Sequence, residues 1–181
     1  ASTDYSGELA ISDEILKRVT ESYRRLRNTL RFLLANLSDF DPIEHAVAWN
    51  DMLELDRYAL IRARQLQERL AGEHYPHYAF HFAMQELINY CSEELGAFYL
   101  DILKDRLYTC AENAPARRAA QTTLWHITQT LVKLLAPILS FTAEEVWQVL
   151  GGTSDSIMFE TWQPLPAPAN EADLLDKWSK V

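Results

Sequence analysis

Ile15, Val19, Tyr23, Leu26, Leu30, Leu33 and Leu37 recur at intervals of three and four residues. That spacing puts one apolar side chain on the same face of every turn for about six turns, which only an α-helix satisfies. Ser12 or Asp13 supplies a side-chain oxygen for the free N–H groups at its start, and "SDFDP" (38–42) ends it. The same period returns down the chain. A second helix is expected from about Leu53 to Leu70, and a third from near Pro76 through Tyr108, with Gly96 as a place to bend. A fourth covers about 116–136 and is ended or kinked by Pro137. "TAEEVWQVL" opens a fifth with a capping box from Thr142 to Glu145, and Gly151–Gly152 stops it. A proline-rich tail leads to a short acidic helix near 170–179. No strand pattern competes. The expected fold is all-α, an antiparallel bundle of about five helices. Residues 1–11 read as a lead-in and 12–152 as the bundle. Residues 153–181 are an extension that either packs on the bundle or runs on as a linker.

Composition sets the limits on function. With 181 residues, 48% of them hydrophobic, the chain can bury one ordinary core. Five glycines argue against a glycine-rich phosphate loop. A net charge of −9 provides no general attraction for nucleic acid, so any such role rests on a local patch. Cys91 and Cys110 form no CxxC pair and suit a reduced cytoplasmic chain. No apolar run reaches the roughly 18 residues of a membrane span. The chain opens on Ala1 rather than Met, as a piece of a larger protein would.

The local patch lies on the first helix. With Leu26 at zero and 100° per residue, Lys17, Arg24, Asn28 and Arg31 fall at roughly 180°, 160°, 200° and 140°, and Arg27 flanks them at roughly 100°. Residues 13–31 carry +3, so the rest of the chain carries −12. Asp13–Lys17, Glu14–Arg18 and Glu21–Arg25 have the spacing and order of intrahelical ion pairs, as a solvated face would. Arg27 and Arg31 have no carboxylate three or four residues away, and Asn28 between them is a poor interior helix former. Arginine with asparagine suits phosphates and base edges. It suits docking onto another domain about equally well.

Other constellations read as structure. His74, His77 and His81 lack an HExxH glutamate and sit among aromatics, so packing is expected rather than a metal site. Asp101, Lys104, Asp105 and Arg106 are expected to form a salt-bridged helix surface rather than an acid–base pair. Arg117 and Arg118 near a helix start are a second phosphate-contact candidate, though a solvated pair is the favoured reading of the residues themselves. Trp125, Trp147 and Trp162 have the residue type for base stacking, though tryptophans at helical spacing are more often core. No catalytic triad spacing, P-loop or zinc ribbon is found.

Several stretches are similar to a known family. "TDYSGELAISDEILKRVTESYRRLRNTLRFLLANLSDFDP" (3–42) resembles the passage by which bacterial-type isoleucyl-tRNA synthetases enter their anticodon-binding domain. "YLDILKDRLYT" (99–109), "RRAAQTTLWHITQTLVKLLAPILSFTAEEVWQVL" (117–150) and "FETWQPLP" (159–166) follow in the family's order. The LAPILSFTAEEVW pattern is shared loosely with valyl, leucyl and methionyl enzymes, whereas the first passage points to isoleucine. The resemblance implies an all-α domain that holds the anticodon stem-loop of isoleucine tRNA. It also implies a cytoplasmic parent whose catalytic domain activates isoleucine with ATP and Mg²⁺, often with zinc in a cysteine-rich segment. The HIGH-type and KMSKS-type motifs, the editing domain and that zinc segment are absent here, so the chain alone is expected to bind no cofactor and to be inactive. The expected tRNA-binding residues are Arg24, Arg27, Asn28, Arg31, Arg117 and Arg118. The alternatives are the anticodon-binding domain of a valyl, leucyl or methionyl relative, or a helical protein-interaction module whose arginine face docks onto another domain.

Overall fold

Ser12 starts the first helix. Its hydroxyl accepts from the Ile15 N–H at 3.3 Å, while Asp13 and Glu14 put negative charge at the positive end of the helix dipole. In the computed structural model, which describes residues 1–152, 154–166, 168, 171–178 and 180, this helix, α1, spans Asp13–Ala35. Leu26, Leu30, Leu33 and Leu37 are buried. Ile15 and Tyr23 are half-covered and Val19 is 42% exposed. The stripe therefore divides, because an open cleft of about 720 Å³ separates its first half from Met84, Ile88 and Ile138.

Helix α2 spans Glu54–Arg69. Instead of breaking at Ala71, the chain winds on through a wider π turn, Leu70–His74. The third helix starts later than expected, at Phe80. Pro76 lies in a turn that must close first, with Tyr78 at a left-handed φ of 56° and the Ala79 N–H bonded to the His74 carbonyl at 2.9 Å. The long third helix is also not uniform. It consists of α3 (Phe80–Asn89), a π-helical stretch Tyr90–Leu100 and α4 (Asp101–Thr109). Gly96 lies within the π-helical stretch, where a Cβ would sit 2.7 Å from the Cys91 carbonyl oxygen. The wider turn brings that carbonyl against the backbone, and only glycine leaves it room.

Helix α5 (Pro115–Leu135) is the spine of the bundle and packs against α1, α2, α4 and then α6 (Ser140–Leu150). Leu124, Ile127, Leu131, Leu134 and Leu135 are buried along it, each contributing about 1.5–3 kcal/mol of transfer free energy. It runs antiparallel to α1, since Asp39, just beyond the end of α1, meets Arg117 in the first turn of α5. The expected capping box of the next helix does not form. The helix begins three residues earlier than that box requires, so Thr142 lies inside it and its hydroxyl bonds to Tyr23 Oη at 3.0 Å, tying α6 to α1. Gly151, at φ 73°, ends α6, and the Gly152 N–H bonds back to the Trp147 carbonyl at 3.2 Å.

Arg106 departs from its expected place on a salt-bridged surface. It folds inward onto Asp56, which is 0% exposed, with Nη1 donating to Oδ2 at 3.0 Å and Tyr99 Oη donating to Oδ1 at 2.8 Å. A carboxylate on α2 buried this deeply needs a charged partner. Lys104 does pair on the surface, with Asp101 at 2.7 Å. The last helix, α7 (Glu171–Trp178), lies on α2. Glu171 pairs with Arg64, Lys177 with Glu54 at 2.6 Å, and Trp178 stacks on Tyr58.

Candidate nucleic-acid interface

Because the buried stripe of α1 occupies one side, Arg24, Arg27, Asn28 and Arg31 emerge on the other, and all four are exposed. The ion pairs expected along this helix are largely missing. Among the described residues α1 holds one, Glu21 to Arg24 at 2.8 Å. Glu21 takes the partner three residues on, Arg24, rather than Arg25 four residues on. Arg25 is therefore released as well, and Arg25, Arg27, Asn28 and Arg31 have no side-chain hydrogen bond or ion pair among the described residues. Free guanidinium groups and an amide along one exposed strip, anchored from below by Leu26, Leu30 and Leu33, make a rigid donor surface for anionic oxygens.

Arg117 and Arg118 sit differently. Arg117 grips Asp39 with two nitrogens, Nη1 to Oδ2 at 2.6 Å and Nη2 to Oδ1 at 3.1 Å. Arg118 is 5% exposed. It donates to the Asp39 carbonyl at 2.9 Å, to Gln121 Oε1 at 2.8 Å and to Asn113 Oδ1 at 2.8 Å. Gln121 closes the network by donating to the Asn36 carbonyl at 2.9 Å and to Asp39 Oδ1 at 2.8 Å. The Arg117 hydrogen bond above all holds the Asp39 carboxyl down at about 2, against an ordinary value of 3.8. The structure thus separates the six candidate residues into an open set on α1 and a knotted pair at the start of α5. The basic pair was readable from its spacing to the helix start. Asp39 and Gln121, which engage it, carry no local signal.

The remaining candidates are packed. His74 Nε2 lies 2.8 Å from Glu86 Oε1, which Arg69 also contacts, and His77 Nδ1 lies 2.6 Å from the Glu73 carbonyl. No group of three or more metal-ligating side chains is found among the described residues. Trp147 is buried and donates to the Ser154 carbonyl at 3.1 Å. Trp125 is half-buried beside His126, whose pKa burial lowers. Trp162 stacks on Tyr75 with ring centres 5.5 Å apart. No helix among the described residues is long and apolar enough to cross a membrane.

Comparison with known proteins adds an independent observation. The family model described as "Anticodon-binding domain of tRNA ligase" matches residues 56–180. Over its full length the chain is 65% identical to an isoleucine–tRNA ligase of Neisseria meningitidis serogroup C, of which it covers 20%. It is 62% identical to that of Dechloromonas aromatica, covering 19%, and 56% identical to that of Chromobacterium violaceum, covering 20%. The chain therefore spans about a fifth of the length of the curated relatives it matches.

Proposed function

The chain belongs to the family of anticodon-binding domains of tRNA ligases, and from that premise we propose that it holds the anticodon stem-loop of isoleucine tRNA for a larger isoleucine–tRNA ligase. In this reading the α1 face is the RNA contact. Arg24, Arg27 and Arg31, with Arg25 on the flank, track phosphates, and Asn28 supplies an amide for a base edge or ribose. Arg117 and Arg118 support the contact indirectly, by fixing the end of the bundle through Asp39. Catalysis, with ATP and Mg²⁺, and any zinc belong to the rest of the ligase, which works in the cytoplasm. The present chain orients the tRNA so that its acceptor end reaches that distant site.

The observation that carries this reading is the strip of unpaired donors on α1 in a chain of net charge −9. The net negative charge of the chain disfavours RNA over the rest of its surface, so binding at that strip favours one orientation. Gel-shift titration of an isoleucine tRNA transcript over a salt series tests it. About four guanidinium contacts predict a slope of log affinity against log salt near −3. The double variant Arg27→Glu, Arg31→Glu is expected to bind at least about ten-fold more weakly with a shallower slope. Unchanged binding by that variant would remove the RNA role from α1 and leave its arginines to docking against another domain.

A further inference from the structure

The π-helical stretch Tyr90–Leu100 turns one side toward α2 and α7, and the three enclose a cavity of about 290 Å³. Its walls are largely aromatic. Tyr58 and Trp178 stack with ring centres 5.8 Å apart, and Phe98 lies edge-to-face with each, at 6.3 and 6.2 Å. The volume falls just below the roughly 300 Å³ at which clefts for drug-sized molecules begin, so the occupant it suits is small.

Three observations separate this cavity from a packing gap. Extended π winding is rare and occurs frequently at functional sites, and here it delivers Tyr90, Glu93 and Phe98 to the lining. Tyr90 is 3% exposed and borders the cavity, yet its hydroxyl has no hydrogen-bond partner among the described residues. Burial pushes its pKa well above the ordinary value, so it remains a neutral hydroxyl. Glu93 is exposed at the rim without a cationic partner, whereas Glu94 beside it is held by Arg62 at 2.8 Å. The charged residues lining the cavity are Arg62, Glu93 and Glu94, so it carries an uncompensated negative charge.

We propose that this cavity binds a small organic cation, an ammonium group carried on an apolar body. The body packs against Tyr58, Phe98 and Trp178, and the ammonium N–H groups meet the Glu93 carboxylate and the Tyr90 hydroxyl oxygen. Aromatic faces attract a cation through their quadrupole, and an adjacent unpaired carboxylate adds to that attraction. No α1 residue lines the cavity, so this site stands or falls independently of the RNA reading.

The probes are phenethylammonium and its neutral counterpart phenethyl alcohol, titrated into the whole chain. The reporter is the Trp178 indole N–H in nitrogen–proton correlation spectra, where its hydrogen bond to Glu54 at 3.0 Å gives it a defined environment. A saturable shift with phenethylammonium is expected, with affinity at least about ten-fold above that of the alcohol. Glu93→Gln should bring the two probes to within about two-fold. Tyr90→Phe should weaken both while leaving the helical circular dichroism unchanged. Equal affinity of the two probes for the unmodified chain overturns the cation assignment. Absence of any saturable Trp178 shift in the millimolar range overturns the site.

Discussion

Asp39 accepts hydrogen bonds from Arg117, Arg118 and Gln121, three side chains that lie 78 or more residues further along the chain. Removing its charge leaves two guanidinium groups short of a partner, so Asp39→Asn is expected to cost about 1–2 kcal/mol at neutral pH. The pH dependence follows from the lowered carboxyl. Its folded value is about 2 against an ordinary 3.8, so its contribution is complete above about pH 4 and disappears as pH falls through 2. Urea midpoints of the parent and Asp39→Asn chains should therefore differ by a constant amount from pH 7 to 5 and converge near pH 2. Only part of this was legible in the residues themselves. Arg27, Asn28 and Arg31 announce their exposure because they sit opposite a regular apolar stripe. Arg117 and Arg118 look equally available, and nothing within a turn of them reveals the carboxylate that engages them. Arg106 was misplaced for the same reason, since Asp56 lies on another helix. Glu21 shows that even a local pairing has two outcomes when arginines stand at both three and four residues' distance.

At the level of the helices, apolar spacing located every long segment, because burial on one side is what makes each of them stable. It was blind to winding. Tyr90–Leu100 keeps buried residues at Cys91, Leu95, Tyr99 and Leu100, a spacing an ordinary α-helix would also show. The π turn is visible only through Gly96 and the carbonyl pressed against it. The sign of one substitution follows from this. In a regular helix interior, glycine to alanine stabilises by about 1 kcal/mol. Here the new methyl would lie 2.7 Å from the Cys91 carbonyl oxygen, a backbone atom that cannot swing aside. Gly96→Ala is expected to destabilise by about 1–3 kcal/mol in equilibrium urea unfolding. The start of α6 carries a similar lesson. A capping-box spacing at Thr142 and Glu145 is satisfied in the sequence, but the chain re-enters a helix early enough after Pro137 that Thr142 is free to reach Tyr23.

Across the whole molecule, the tail after α6 returns to the bundle, and α7 closes one side of α2. Leu174 is buried there, and Trp178 covers Tyr58 and Phe98. A chain ending at residue 166 is expected to lose about 2–4 kcal/mol of stability through those exposed surfaces. Its RNA affinity should stay within about three-fold, since α7 rests on α2 and the basic strip is on α1. Urea unfolding and the same gel shift measure both on one sample. A proline-rich tail gave little sign of this return, because docking through Trp178 depends on a groove that α2 and the π stretch build together. The uneven anchoring of α1 has a further bearing on recognition. Its opening turns border an open cleft, but Arg24 to Arg31 rise from the length of helix nailed down by Leu26, Leu30 and Leu33. Backbone order there exists before any ligand arrives. An RNA loop bound at this strip, as proposed, would restrict mainly side chains of the protein, and the entropy lost on association would fall mainly on the nucleic acid.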